Sequence, residues 1–249
     1  MGFVAQWFRR LNETTGINLP MFYDPFDRAR FLHGLGVTIA LSIITILASI
    51  AIGIVGAWLQ GSRLVWTRRI VQGYIQIFRN TPPLVQIYFF YFGLSALLPL
   101  ARTRFGTTAP LLSGFVWVCI SLSFFAGAFN VEIFRSGIEA VPHSTVEAAE
   151  ALGYTRLKAY AYIILPLAFR VCLPALNNNL VNLIKTTTLA YAVAVPELLY
   201  VSAQIWSDDT NVPEMMVVLL IIYVGLVGVL VWIMHSLEHT LRLPGYSPP

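Results

Sequence analysis

The sequence predicts an all-α integral membrane protein with about five transmembrane helices. Three observations carry that expectation. Of the 249 residues, 57% are hydrophobic and only 11% are charged, where a soluble domain has about 25% charged. Several uncharged runs reach the ~20 residues that cross ~30 Å of hydrocarbon as a helix. The charges gather near the ends of those runs, where membrane insertion favours them. The net charge is +4, but the basic residues form no stripe of the kind that tracks nucleic acid. Loops too short to fold alone point to one domain. The expected organisation is an N-terminal segment 1–30, outside or at the membrane interface, a single transmembrane domain 31–243 with a polar loop 142–166, and a tail 244–249.

The elements follow in order. Residues 1–30 lack the layout of a cleaved signal peptide. Trp7, Phe8, Phe22, Tyr23 and Phe26, with Arg9 and Arg10, suit either a segment lying on the membrane surface or a solvated tail. Gly34–Leu59 carries no charge over 26 residues and is the first span. Its Ala40, Gly53, Gly56 and Ala57 would let a neighbouring helix come close. Ile70–Arg79 contains Gln72 and Gln76 and ends on an arginine that is costly at mid-membrane. It is expected to be an interfacial or protein-buried helix, with the second span from about Pro82 to Pro99. A short loop, 101–109, leads to the third span, Pro110–Val131. Glu132 and Arg135 follow, three apart on one helix face, which reads as an ion pair at the membrane interface.

The fourth span, Leu167–Ala194, contains Lys185. Asn178, Asn182 and Lys185 stand at i, i+4 and i+7 and share a face. Such groups are expensive in hydrocarbon unless they meet a cavity or a partner. They are candidates, with Arg79, for the lining of a substrate path. Hydrogen bonding between helices is an equal alternative, and Lys185 can also snorkel to one surface. Pro196–Ser207 reads as a short amphipathic helix, and Met215–Met234 as the fifth span. Cys119 and Cys172 fall inside spans, in no CxxC pair, and read as buried, inert thiols.

The stretch Glu147–Pro166, EAAEALGYTRLKAYAYIILP, is polar between apolar runs. It reads as two short helices at a membrane surface. Ser144 with Glu147 fits a capping box, after Pro142, for a first helix over about Thr145–Leu152. Gly153 supplies the left-handed residue that ends it. Thr155 can cap a second helix, and Pro166 marks a change of direction. Ala148, Ala149 and Ala151 leave part of the first helix bare, open to another protein's close approach.

The spacing Glu147-Ala148-Ala149, three residues, Gly153, nine residues, Ile163, one residue, Leu165-Pro166 resembles the EAA signature of ABC importer permeases, with no departure at its defining positions. Phe78–Leu94, FRNTPPLVQIYFFYFGL, resembles the polar-amino-acid branch of that family, the histidine, glutamine and glutamate permeases. Asn80 stands where glycine or serine is more common, and Pro83 where an apolar residue is usual. FNVEIFRSGI resembles the approach to the family's loop. The resemblance covers about His33 to Arg242. It implies a MetI-like type I fold in which 142–166 is a cytoplasmic coupling helix, with Glu147, Ala148, Ala149, Gly153, Ile163, Leu165 and Pro166 as ATPase-coupling residues. It further implies two ABC ATPase subunits, a second permease subunit, a periplasmic or lipid-anchored binding protein and an amino-acid substrate, possibly glutamate, aspartate or glutamine. ATP and magnesium would sit on the ATPase, with no cofactor on this chain, whose setting would be the lipid of a bacterial inner membrane.

Orientation rests on that resemblance, which puts the N-terminus outside and the C-terminus in the cytoplasm. Arginine and lysine counting adds a weak bias of eight against six. The inner set is Arg63, Arg68, Arg69, Arg135, Arg156, Lys158, Arg170 and Arg242; the outer is Arg9, Arg10, Arg28, Arg30, Arg102 and Arg104. The chain has no GxxxxGK[ST] loop to cradle ATP phosphates. His235-Ser236-Leu237-Glu238-His239 matches the short HxxEH zinc pattern, but no second helix offers an obvious distal carboxylate. The rival classes are a stand-alone secondary transporter or channel, and, more distantly, an enzyme of the membrane interior. Five unrepeated spans argue against the first. The lack of a nucleophile or metal constellation argues against the second.

Overall fold

The computed structural model describes residues 3–102 and 107–241, with only the backbone of Ala109, Arg156 and Leu157. Arg104, Arg242 and the expected tail 244–249 lie outside the described residues. The helices are α1 (Phe3–Thr15), α2 (Pro25–Gln60), α3 (Val65–Asn80), α4 (Pro83–Tyr88), α5 (Gly114–Glu139), α6 (His143–Ala151), α7 (Arg156–Ala159), α8 (Leu165–Thr186), α9 (Leu198–Asp209) and α10 (Val212–Thr240). Among the described residues, four helical stretches are long and apolar enough to cross a membrane: Pro25–Gln60, Gly114–Glu139, Tyr160–Val193 and Val212–Thr240. A fifth apolar stretch, Pro83–Leu97, is shorter. The expected loop 101–109 instead carries two short antiparallel strands, β1 (Leu100–Arg102) and β2 (Thr108–Pro110), with Ala101 opposite Ala109.

The chain divides into two compact units. The first comprises 1–44, 83–121 and 184–227. Its core gathers Met21, Phe31, Leu198, Val201, Ile205, Met215 and Leu219. The helix carrying the first span starts at Pro25, nine residues before the uncharged run. The cause is local. Asp24 accepts the Phe26 N–H at 2.9 Å through its carboxylate, its carbonyl takes the Arg28 N–H, and Pro25 needs no partner. The charges this brings into the helix are paired: Arg30 lies 2.5 Å from Asp27 and 2.8 Å from Asp208. Residues 3–15 are helical, and Phe8 stacks on Phe22 with centroids 4.1 Å apart. The N-terminal segment is therefore a built element with exposed Phe3 and Trp7 rather than a featureless tail.

Glu197 organises the same unit from a fully buried position. As the N-cap of α9 it accepts from the backbone of Leu199 at 2.9 Å and Tyr200 at 2.8 Å, and from the Tyr223 hydroxyl at 3.2 Å. Thr38 of α2 accepts the Leu198 N–H at 2.9 Å. Helices α2, α9 and α10 are thus joined by one carboxylate whose lone pairs are filled, which is what lets a carboxylate sit away from water.

The second unit comprises 45–82, 122–183 and 228–249. Here α2 and α5 press together at glycine. A Cβ on Gly53 would meet the Asn130 Cβ at 2.5 Å, and one on Gly56 would collide with Val131. Two of the four small residues singled out in the first span thus mark a real helix crossing. Gly137 does the same for α5 against Ala168 and Cys172 of α8. Cys172 is buried and free, and its thiol donates to the Ile133 carbonyl at 3.1 Å. Helix α3 buries Val71 and Ile75 against Val131 and leaves Ile70 and Ile77 exposed. Its 16 residues span about 24 Å at 1.5 Å each, short of the hydrocarbon thickness, as an interfacial or protein-buried helix should be.

Candidate functional site

Two regions answer the sequence reading: the polar loop 142–166 and the polar residues of α8. In the loop, α6 ends in a Schellman motif. The Tyr154 N–H reaches the Ala149 carbonyl at 3.1 Å, and the Gly153 N–H reaches that of Glu150 at 2.9 Å. Gly153 has φ +83°, the left-handed region in which a Cβ is costly. Thr155 caps the next helix, accepting the Lys158 N–H at 3.5 Å. Both turn signals read from the sequence are therefore present.

Three details differ from expectation. The Ser144–Glu147 capping box is not formed: α6 starts two residues earlier, with Pro142 at its N-cap and no side-chain cap. Glu147 instead lies 3.0 Å from His143 Nδ1 across one helical turn. Ala149 turns into the chain's own interior, so the bare surface is that of Ala148 and Ala151 alone. Pro166 does not end the helix. The backbone passes from α7 through a π-helical turn, Tyr160–Ile164, directly into α8. The Leu165 N–H bonds back to the Tyr160 carbonyl. The wide turn takes up the place where the proline's missing N–H would leave a gap. Ile163 is half-buried, and Leu165 and Pro166 are exposed. At the tip Leu152 is 78% exposed, a large apolar side chain presented outward by a rigid turn.

On α8, Asn178, Asn182 and Lys185 are all exposed, as one stripe of the helix. Asn179, next to Asn178, is buried. It donates to the Asn130 side chain at 2.8 Å and to the Ala126 carbonyl at 3.0 Å. Asn130 donates in turn to Ser49 at 3.2 Å, and Ser49 to the Ile46 carbonyl at 2.9 Å. A hydrogen-bonded chain thus crosses α8, α5 and α2. The sequence reading missed it because it ranked asparagines by a shared face and left Asn179 and Asn130 off that face. The signal available was a polar residue on the apolar side of each of two spans.

Arg79 and the Glu132–Arg135 pair are corrected together. Glu132 bonds Arg79 of α3, and Arg135 reaches one turn forward to Glu139 at 3.0 Å. Arg79 also lies over the Phe129 ring, 5.0 Å from its centroid. The spacing of three allowed an intrahelical pair. The neighbouring helix offered Glu132 a guanidinium that would otherwise have been stranded near the membrane. In the HxxEH stretch, His235 Nδ1 lies 4.0 Å from Glu238, and its ring is 5.2 Å from that of His239. Among the described residues no three His, Cys, Asp or Glu side chains are grouped to hold a metal ion.

Comparison with known proteins fits this architecture. Residues 49–243 match the family described as binding-protein-dependent transport system inner membrane component. The chain belongs to that family, and so is the multi-pass inner-membrane component of a transport system served by a separate binding protein. The octopine transport system permease protein OccM of Rhizobium radiobacter is 32% identical over 198 residues, 76% of this chain and 80% of that protein. The histidine/lysine/arginine/ornithine transport system permease protein HisM of Escherichia coli K12 is 34% identical over 171 residues, 67% and 71% of the two chains. A crystal structure of an amino acid ABC transporter with histidines superposes with TM-score 0.72 at 26% identity, over 86% of this chain and 94% of that one. The MetNI methionine ABC transporter in an inward-facing form gives 0.67 at 19% identity, over 88% and 99%, a likeness of fold.

Proposed function

We propose that this chain is the permease subunit of an ATP-driven importer of polar amino acids, worked by a separate ATPase through the α6 loop. One observation carries the reading: a Schellman-closed helix end that presents exposed Leu152 beside left-handed Gly153. A lever must transmit displacement, and a two-turn helix closed at its C-terminal end does so better than a flexible loop. The continuous run from α7 through the π turn into α8 carries movement at the loop into the span. ATP binding on the partner would close the ATPase pair and draw two such loops together. The spans would then pass from an inward-facing to an outward-facing packing.

The relatives named for octopine, histidine and other amino acids support an amino-acid cargo. The stripe Asn178, Asn182 and Lys185 is the proposed contact surface for it, since amides and an ammonium recognise a carboxylate and polar side chain. Arg79, held by Glu132, is set aside from that surface. In this reading the loop and C-terminus are cytoplasmic, the N-terminus is outside, two copies or two related permeases pair, and ATP and magnesium sit on the partner ATPase. The chain itself does no catalysis, and residues 31–243 act as one transmembrane domain.

Replacing Gly153 by valine tests the lever. A β-branched residue at φ +83° costs roughly 1–2 kcal/mol locally, enough to distort the tip. Substrate-stimulated ATP hydrolysis of the reconstituted complex should fall at least fivefold while the subunits still co-purify. Unchanged stimulation with intact assembly would dismiss the coupling role.

A further inference from the structure

We propose that the second unit holds an anionic phospholipid, its headgroup on Arg68, Arg69 and Arg135 and one acyl chain in the apolar cleft beside them. Two adjoining hollows of opposite chemistry carry this. The first, about 690 Å³, is lined by those three arginines, by Gln60 and Gln72, and by a single carboxylate, Glu139. The second, about 260 Å³, is lined by Ile54, Trp58, Phe134, Leu165 and Phe169 and is almost wholly apolar. The two share Ala57, Ile138 and Tyr160, so one opens beside the other.

The charge balance favours an anion. Glu139 is taken by Arg135, 3.0 Å away. Arg69 lies over the Trp66 ring, 5.7 Å from its centroid, and no carboxylate is paired with Arg68 or Arg69 among the described ion pairs. With Glu139 offsetting one of the three guanidinium charges, two remain to be neutralised by an entering anion, and guanidinium binds phosphate oxygens in a fork. Gln60 adds a buried carbonyl oxygen that no described hydrogen bond reaches, suited to a headgroup hydroxyl.

The depth favours a lipid over a free anion. The hollow lies where α2 ends and α3 begins, and the exposed Trp58 and Trp66 bracket it. Exposed tryptophan is the mark of the headgroup level of a bilayer. A basic pocket between helices at that level, backed by an apolar groove, is the form that anionic headgroup sites take. The inference is separate from the transport reading: it uses neither the exposed tip of α6 nor the α8 stripe, and meets the loop 142–166 only at Tyr160 and Leu165.

The test is native mass spectrometry of the chain purified with whatever subunits accompany it, after exchange into equal dioleoyl-phosphatidylglycerol and dioleoyl-phosphatidylcholine. Retained phosphatidylglycerol should exceed phosphatidylcholine about tenfold. The triple variant R68Q/R69Q/R135Q should bring that ratio to within twofold, while R9Q/R10Q, which removes two exposed arginines elsewhere, should leave it unchanged. Inorganic phosphate at millimolar concentration should not displace the lipid. Equal retention of the two lipids, an unchanged ratio in the triple variant, a ratio lost equally in R9Q/R10Q, or displacement by phosphate alone would each overturn the proposal. A co-purification and melting profile like that of the unaltered chain shows that the triple variant is folded.

Discussion

The buried and exposed faces of α8 use the same residue types to opposite ends. Asn179 faces inward, spends its amide on Asn130 and Ala126, and belongs to a chain of hydrogen bonds reaching Ser49 of α2. Asn178, one residue away, is exposed, as are Asn182 and Lys185 on the same stripe. The inner face is a joint and the outer face is exposed. The lesson is that a polar residue in a span does not by itself declare a path or a joint; what it touches decides. Joints are costly to alter in stability, whereas an exposed face should be costly only in function.

The largest effect is expected where α8 meets α5 with no room at all. A Cβ on Gly137 would clash with Cys172 Sγ and come within 2.7 Å of the Ala168 carbonyl oxygen. That oxygen is backbone and cannot rotate away, so G137V must push the helices apart. Overpacking of this kind costs about 3 kcal/mol. Thermal unfolding in detergent should show the variant melting well below the parent, with reduced yield. A melting point within a degree or two of the parent would mean that α8 has slack here and that its inner face is not a tight joint.

The hydrogen-bonded chain comes next. Deleting one amide leaves its partner with other bonds: Asn179 keeps Ala126, and Ser49 keeps Ile46. Side-chain hydrogen bonds inside membrane proteins average ~0.6 kcal/mol in double-mutant cycles, with a maximum near 1.7. N130A and N179A should each destabilise by about 1 kcal/mol, and the double variant by less than the sum, with a coupling of roughly 0.6 kcal/mol or more. Strict additivity would show that the two amides are merely adjacent.

Much of this was legible from residue types alone, and the reasons differ by region. The spans, the amphipathic α3, the left-handed Gly153 and the Thr155 cap follow from local chemistry: uncharged length, helical spacing and φ preference. The crossing at Gly53 and Gly56 was legible because small residues clustered on one span. What could not be read were choices between equivalent partners. Glu132 had Arg135 in sequence and Arg79 in space, and the second won. Glu147 had the Ser144 backbone or His143, and took His143. Gly137 gave no signal, since a lone glycine near a helix end looks the same whether or not another backbone lies on it. Glu197, placed at the start of a short helix by its sequence, turned out to join three helices, and only the fold supplies Thr38 and Tyr223.

The smallest effect on stability, and the most telling contrast, is expected on the outer stripe. Asn178 and Asn182 are both exposed on α8, so the double change N178A/N182A removes little packing. Exposed substitutions away from joints stay within about 0.5 kcal/mol. If the stripe meets the transported amino acid, uptake by the reconstituted complex should fall several-fold through a raised KM, because the amides would contribute to binding of the cargo. The melting point should stay with the parent's, unlike that of N130A or G137V. A matching loss of stability and subunit recovery, with the remaining assembled protein transporting normally, would make the outer stripe a joint to a second subunit. The two faces of α8 would then differ only in which chain supplies the partner.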